Sequence, residues 1–232
     1  MIETTKILFL ILLAPGAILA ISLHEAMHGF VANRLGDPTA KMLGRLSLNP
    51  FKHIDPIGTI LVPALLYLFG GMMFGWAKPV PVSIRNLNNP KRDMALVAVA
   101  GPGANLSLAV IASLFLYLIA ALISAVHFNE TVSQTVFFPL IMILFFMIKF
   151  NLFLMMFNLI PIPPLDGGRI LVGLLPYRQA AAVAAIEPFG FFIVIGLLMI
   201  DRAIPLFSYL MLPVRFLETL MVPDLLRPLL GG

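Results

Sequence analysis

The chain has 232 residues, of which 60% are hydrophobic and only 11% are charged. This composition excludes an ordinary soluble domain and indicates a polytopic membrane protein. The positive balance, 15 Lys and Arg against 11 Asp and Glu, is spread over the ends of apolar runs, which indicates membrane orientation and excludes a nucleic-acid-binding patch. The chain has no cysteine, so histidine and carboxylate side chains must supply any metal site.

The apolar segments predict an all-α membrane protein with about five to six transmembrane helices. They lie, in chain order, at about 7–33, 57–75, 93–125, 136–160, 179–200 and 203–222. The first segment lacks a clear small-x-small cleavage site, so we expect a retained helix rather than a signal peptide. No connection is long enough for a soluble domain. We expect residues 1–232 to form one integral-membrane domain, with a core at about 7–170 and hydrophobic C-terminal helices at about 179–222.

The first apolar segment contains the sequence HEAMH, from His24 to His28. In a helix, residues four apart share one face, so both imidazoles can point at one ion while Glu25, about 100° round the helix, flanks the same site. This is the two-ligand and general-base arrangement of zinc peptidases. Polar residues in membranes also bond to one another across helices. Burying three ionisable groups in one turn is costly, however, and favours a functional site.

The distribution of basic residues predicts the topology. Residues 33–56 and 76–92 carry four Lys or Arg each, whereas residues 126–135 carry none. By the positive-inside rule, both basic connections are cytoplasmic and the third lies outside. The segment between the two basic connections therefore does not simply cross the bilayer. Its prolines and glycines predict a re-entrant element near residues 57–85 that lines a protein cavity.

A catalytic zinc ion needs a third protein ligand. A downstream glutamate of the thermolysin type is excluded, because no glutamate lies between Glu25 and Glu130. The position of a third histidine of the metzincin type is occupied by Arg34. The remaining candidates are Asp37, His53, Asp55 and, far along the chain, Asp166.

Topology favours Asp166 among these candidates. It lies in the sequence NLIPIPPLDGG, where prolines break an apolar helix, and broken backbone at membrane depth is tolerated where it lines a cavity. Asp166 and the two histidines also lie toward the cytoplasmic ends of helices that run in the same direction. The alternative is an ordinary aspartate at a helix end. Lys149, in the middle of segment 136–160, is expected to face the interior of the helix bundle.

Three motifs resemble the site-2 protease family of intramembrane zinc metalloproteases. They are HEAMH at 24–28, AGPGAN at 100–105 and NLIPIPPLDGG at 158–168. The sequences LNPFKHIDPIGT at 48–59 and FGWAKPVPVS at 74–83 resemble the compact prokaryotic branch without PDZ or CBS domains. The resemblance covers about residues 20–170.

The resemblance implies one Zn²⁺ ion held by His24, His28 and Asp166, with Glu25 as the catalytic acid and base. It also implies that Asn105 contacts substrate backbone and that residues 74–83 form part of a membrane-associated β-hairpin.

The predicted function is an intramembrane zinc metalloendopeptidase of the cytoplasmic membrane, cleaving peptide bonds within or near transmembrane segments toward the cytoplasmic side. Its tasks would be regulated intramembrane proteolysis or clearance of signal-peptide remnants. Its partners would be a transmembrane protein or peptide substrate and the lipid bilayer, without nucleic acid; the sequence leaves the oligomeric state open. The alternatives are a metal-binding transporter and a catalytically inactive binder of membrane segments. Glu25 favours the protease, because a transporter gives no reason for a glutamate between the two histidines.

Overall fold

The structure is a computed structural model that describes residues 2–53, 55–61, 65, 78–200 and 205–230. Every regular element in these ranges is helical and none is a strand, which confirms the predicted all-α class. The α-helices are α1 (Ile2–Arg34), α2 (Thr39–Met42), α3 (Pro90–Ala125), α4 (Glu130–Asn158), α5 (Asp166–Leu174), α6 (Tyr177–Ala184), α7 (Gly190–Ile200), α8 (Leu206–Leu210) and α9 (Leu212–Met221). A π-helical stretch, Ser133–Phe137, lies within α4. Other short 3₁₀ and π turns join or extend the helices at Pro50–Lys52, Pro56–Leu61, Ile84–Asn86, Glu187–Phe189 and Asp224–Leu230.

Three helical stretches of the described chain are long and apolar enough to cross a membrane. They are Pro90–Ala125, Glu130–Asn158 and Tyr177–Leu197, and they coincide with three of the predicted apolar segments. The chain is therefore a membrane protein with three candidate spans, while the full count of five to six stays a prediction. The centre of the predicted re-entrant element, residues 66–77, lies outside the described residues.

Helix α3 is the central element of the bundle, since it packs against α1, α4 and α5. Its start is well defined by local chemistry. Pro90 occupies the first turn, where a missing N–H costs nothing, and the Asp93 carboxylate accepts a 2.7 Å hydrogen bond from the backbone N–H of Asn89. This arrangement fixes the residue at which α3 begins.

The core between α3 and α4 combines small residues on one helix with large aliphatic residues on the other. On α3, Ala109, Ala112 and Ala120 are buried, which lets the two helices approach closely. The buried side chains of α4 recur at helical spacing, at Ile141, Leu144, Ile148, Leu152 and Met155. The C-terminal segment covers the other side of this core, where the Ser113 hydroxyl donates a 2.7 Å hydrogen bond to the carbonyl of Met221.

The prediction that Lys149 faces the bundle interior is wrong. Its side chain is half exposed on the outer surface of α4, and its ammonium group lies 3.3 Å from a carboxylate oxygen of Glu218 on α9. The ammonium also lies 4.9 Å from the centre of the Phe145 ring. The apolar run around Lys149 gave no sign of this partner, because Glu218 is 69 residues further along the chain. The ion pair joins α9 to α4.

Asp37, just after α1, anchors the extended segment formed by residues 78–83. Its buried carboxylate accepts hydrogen bonds from the backbone N–H of Ser83 at 2.6 Å, from the Asn86 amide at 3.0 Å, and from the backbone N–H and hydroxyl of Thr39. Burial acts to raise the pKa of Asp37, but these hydrogen bonds outweigh it and hold the pKa below its ordinary value. The ionised carboxylate therefore fixes the extended segment against the end of α1.

Candidate metal centre

Helix α1 places the two histidines of the HEAMH motif on one buried face. His24 is 5% exposed and His28 is 8% exposed. Their ring centres are 4.8 Å apart and the rings are nearly perpendicular, as expected for side chains one turn apart on the same face. The two Nε2 atoms lie 3.2 Å from each other and point into the space between α1, α3 and α5.

Asp166 reaches the same space from a distant part of the chain. Helix α4 ends at Asn158, a proline-rich turn follows, and Asp166 is the first residue of α5. The two glycines after it are required by close packing. A Cβ on Gly167 would overlap the backbone carbonyl of Leu159, and a Cβ on Gly168 would overlap the backbone of Pro163. The LDGG sequence therefore lets the turn fold back on the start of α5 and bury Asp166.

Three potential ligand atoms converge at this point. Asp166 Oδ2 lies 3.2 Å from His24 Nε2 and 3.3 Å from His28 Nε2, which completes a nearly equilateral triangle with the two nitrogens. Despite these short distances, Oδ2 is buried and has no hydrogen-bond partner among the described residues. Within the part of the chain that the structure describes, the three potential ligand side chains close enough to share one metal ion are those of His24, His28 and Asp166.

The size of the triangle fits a tetrahedral zinc ion. Nitrogen and oxygen ligands lie about 2.0–2.1 Å from zinc, so ligand atoms at two corners of a tetrahedron are about 3.3–3.4 Å apart. The observed separations of 3.2, 3.2 and 3.3 Å agree with this value. Three protein ligands also leave the fourth corner for water or substrate, as a catalytic site requires.

The far sides of both imidazole rings are held by acceptors on α3. His24 Nδ1 lies 2.6 Å from the side-chain oxygen of Asn105, and His28 Nδ1 lies 2.7 Å from the backbone carbonyl of Val97. Both partners are acceptors, so each Nδ1 must carry the proton and each Nε2 presents a lone pair. Two lone pairs and a carboxylate oxygen then face one another at hydrogen-bond distance, an arrangement that a cation stabilises.

Gly101 provides the space that the two rings occupy. It lies on α3 one turn after Val97 and one turn before Asn105, so these three residues form one stripe facing α1. A Cβ at this position would lie 2.5 Å from His28 Nε2 and 2.6 Å from His24 Cε1. The GPGAN sequence thus combines an open site for the imidazoles with the acceptor for His24.

Asn105 is itself fixed by a second buried amide that the sequence analysis did not identify. Its side-chain NH₂ donates to Asn151 Oδ1 on α4 at 2.9 Å and lies 3.3 Å from the carbonyl of Ala20. Asn151 in turn donates to the carbonyl of Met147 at 2.8 Å, and both amides are completely buried. An asparagine inside an apolar helix was the available signal, but only the fold gives its partner. Contact of Asn105 with substrate stays a prediction.

Glu25 lies beside the triangle rather than in it. Its Oε2 accepts a 2.9 Å hydrogen bond from the backbone N–H of Val80, in the extended segment 78–83. The carboxylate is only partly buried. Within the described part of the chain Val80 is its hydrogen-bond donor, and a partly solvated carboxylate has further lone pairs available for a proton.

The other candidates for a third ligand have different partners. Asp37 binds residues 39, 83 and 86, as described above. His53 is buried, and its Nε2 lies 2.8 Å from the carbonyl of Ser47. Asp55 accepts hydrogen bonds from the backbone N–H groups of Ile57 and Gly58. The structure brings none of these three to His24 and His28.

Comparison with known proteins gives a consistent result. Residues 10–200 match Peptidase family M50. A Bacillus subtilis (strain 168) protein named "Putative zinc metalloprotease YwhC" is 40% identical over 198 residues, which cover 84% of this chain and 82% of that protein. A protein named "Putative zinc metalloprotease Rip2" from Mycolicibacterium smegmatis is 34% identical over 82% of this chain and 67% of its own length. The Mycobacterium tuberculosis (H37Rv) protein of the same name is 29% identical over 83% of this chain and 67% of its own length.

No solved structure matches the chain. The family match covers more than half of the sequence, and the Bacillus relative is aligned over most of both chains. The chain therefore belongs to peptidase family M50, the site-2 protease family of zinc metalloproteases.

Proposed function

We propose that this chain is an intramembrane zinc metalloendopeptidase that hydrolyses peptide bonds within or near transmembrane segments of other membrane proteins. The observation that carries the proposal is the triangle of His24 Nε2, His28 Nε2 and Asp166 Oδ2, which has the dimensions of one face of a zinc tetrahedron. We assign these three residues as the ligands of one zinc ion. We expect residues 1–232 to act as one membrane-embedded unit.

The proposed chemistry divides between the metal and Glu25. When bound, zinc would supply a Lewis acid that lowers the pKa of a water molecule to about 7 and polarises a substrate carbonyl. Glu25 accepts the proton of the attacking water and later gives it to the leaving amine. The hydrogen bond from Val80 supports this role, because it orients one oxygen and leaves the other to take part in proton transfer.

The two carbonyl acceptors on α3 act through the histidines. By accepting hydrogen bonds from the Nδ1–H groups, Asn105 and Val97 keep both Nε2 lone pairs directed at the metal position. Asn151 keeps the Asn105 amide in the orientation that presents its oxygen to His24. These three are positioning residues.

The depth of the site supports cleavage inside the bilayer. His24 and His28 precede Arg34, the basic end of α1, by ten and six residues, or about 15 and 9 Å at 1.5 Å per residue. The basic connections on either side of residues 57–75 assign this end of α1 to the cytoplasmic face. We therefore propose that the active site lies within the cytoplasmic half of the membrane.

A helical substrate must unwind before its peptide bonds become accessible, since a transmembrane helix keeps them hydrogen-bonded internally. We propose that residues 78–83 pair with the unwound substrate by strand addition. The segment has no regular secondary structure, its backbone is extended at Ser83, and it contains Pro79 and Pro81, which exclude helix. Asp37 holds one end of it through Ser83, and Glu25 holds its middle through Val80. Substrate pairing would therefore occur beside the catalytic carboxylate.

The proposal is tested by comparing purified wild type with Glu25→Gln for zinc content and for cleavage of model transmembrane peptides in detergent. Glu130→Gln is a matched control, because Glu130 is exposed at the start of α4. We expect about one zinc per chain in all three proteins and cleavage by wild type and the control only. The metal site would be refuted if purified wild type contained no zinc and His24→Ala had the same zinc content. Zinc uptake into vesicles by both wild type and Glu25→Gln would instead support the transporter.

A further inference from the structure

A basic cleft lies beside the extended segment, on the connection that follows α1. It is an open cavity of about 400 Å³. Its lining residues are Leu43, Gly44, Arg45, Phe51, Lys52 and Lys78. Three of the six carry a positive charge and none carries a negative charge. The cleft lies apart from the metal triangle, and Lys78 is the only one of its residues that belongs to the segment proposed to pair with substrate.

The cations of this cleft retain unused hydrogen-bond donors. Arg45 donates through Nη2 to the carbonyl of Lys78 at 2.9 Å, which holds its guanidinium at the cleft. The Nε of Arg45 is buried and has no hydrogen-bond partner in the part of the chain that the structure describes. Lys52 donates from Nζ to the carbonyl of Gly44 at 2.8 Å, which uses one of its three donors. An anion in the cleft would accept from the remaining donors of Lys52 and give the Arg45 guanidinium a charge partner.

The connection that forms the cleft also carries exposed large apolar side chains, and two of them, Leu43 and Phe51, line the cleft. Met42 is 80% exposed, Phe51 78%, Leu43 62% and Leu48 57%. Such a concentration of exposed apolar surface on one short connection marks an interaction site. A soluble phosphate would satisfy the cations but would leave these side chains in water. An amphiphilic anion would satisfy both.

We propose that the cleft binds the phosphate of an anionic phospholipid, with the acyl chains lying against Met42, Leu43, Leu48 and Phe51. The residues precede and follow predicted membrane segments on the side that the positive-inside rule assigns to the cytoplasm, where anionic lipid is available. An acidic peptide is the less suitable ligand, because the cytoplasmic flanks of membrane-protein substrates are themselves basic. The lipid would also neutralise a cluster of like charges.

The cleft is connected to the proposed active site through the backbone of the extended segment. Arg45 binds the carbonyl of Lys78, and Val80, two residues further on, donates its N–H to Glu25. A bound phosphate would hold the Arg45 guanidinium in place and so stabilise the position of this segment. The lipid site itself is independent of the proposed proteolysis and is tested by binding alone.

The test measures the midpoint of thermal unfolding of the full chain in dodecyl maltoside micelles. Dioctanoyl phosphatidylglycerol, dioctanoyl phosphatidylcholine and inorganic phosphate are each titrated. The cleft variant is Lys52→Gln with Lys78→Gln. The control variant is Lys41→Gln with Arg85→Gln, which makes the same change in charge on exposed residues outside the cleft. All four positions are exposed, so the variants are expected to fold.

We expect phosphatidylglycerol to raise the unfolding midpoint of wild type and of the control variant more than phosphatidylcholine does. The cleft variant should need at least tenfold more phosphatidylglycerol for the same shift, because charge-assisted hydrogen bonds are lost. The proposal would be overturned if the two lipids raised the unfolding midpoint of wild type equally. It would also be overturned if the two double variants lost the stabilisation by phosphatidylglycerol to the same extent. Inorganic phosphate that protects wild type as well as phosphatidylglycerol would show that the ligand is a soluble phosphate and not a lipid.

Discussion

Gly101→Ala is expected to disrupt the metal centre by adding a single methyl group. The new Cβ would lie 2.5 Å from His28 Nε2 and 2.6 Å from His24 Cε1, whereas relaxed contacts between such atoms are about 3.5 Å. The rings or the helices must therefore move by about 1 Å. Zinc sites tolerate ligand displacements of about 0.2 Å. We expect zinc affinity to fall by more than the 10- to 100-fold that loss of an outer hydrogen-bond partner typically costs.

The assay is competition for zinc against a chelator of known affinity, with helix content and elution volume as checks of folding. Gly103→Ala is the matched control, because an added Cβ there has no atom within 4 Å and the residue lies on the same helix. Alanine favours helix over glycine by about 1 kcal/mol, so the control should be as stable as wild type or more so. A folded Gly101→Ala protein with wild-type zinc affinity would refute the assigned ligand geometry.

Asn151→Leu should lower zinc affinity about 10- to 100-fold in the same assay, because Asn105 loses the acceptor that orients its amide; unchanged affinity would show that this support is unnecessary. Asp37→Asn should lower the unfolding midpoint at neutral pH by the equivalent of about 2 kcal/mol. The native pKa of Asp37 is lowered, so its contribution is present above the unfolded value near 4 and lost as pH falls through the native value. A stability difference that stays constant from pH 7 to pH 3 would contradict this account. Lys149→Met alone should destabilise the chain by leaving Glu218 unpaired, and adding Glu218→Leu should restore most of the stability; a double variant no more stable than the single would argue against the pair.

The sequence was most informative where the structure depends on one helix. The spacing of His24 and His28 places both on one face whatever surrounds them, and in the structure their Nε2 atoms are 3.2 Å apart. Asp166 needed a topological argument, supported by the family resemblance, because no local rule connects residues so far apart. The triangle of Asp166 Oδ2 with the two Nε2 atoms agrees with that choice.

The remaining features depend on contacts between helices, which one sequence does not encode locally. Asn151 could be recognised as polar in an apolar run, but its pairing with Asn105 requires the rotation of α4 about its axis to be known. The sequence predicts an interior position for Lys149, because an unpaired charge is costly in the bilayer. The structure pairs it instead with Glu218 on α9, a segment whose path the sequence left open.

The distance along the chain between the proposed ligands has a consequence for biosynthesis. His28 and Asp166 are 138 positions apart, and the aspartate follows the whole of α3 and α4. A nascent chain that has inserted only its first helices therefore presents two imidazoles and no third ligand. On the proposed ligand set, it cannot hold zinc as a protease does. On the same ligand set, proteolytic competence then appears only after α5 has reached the bundle.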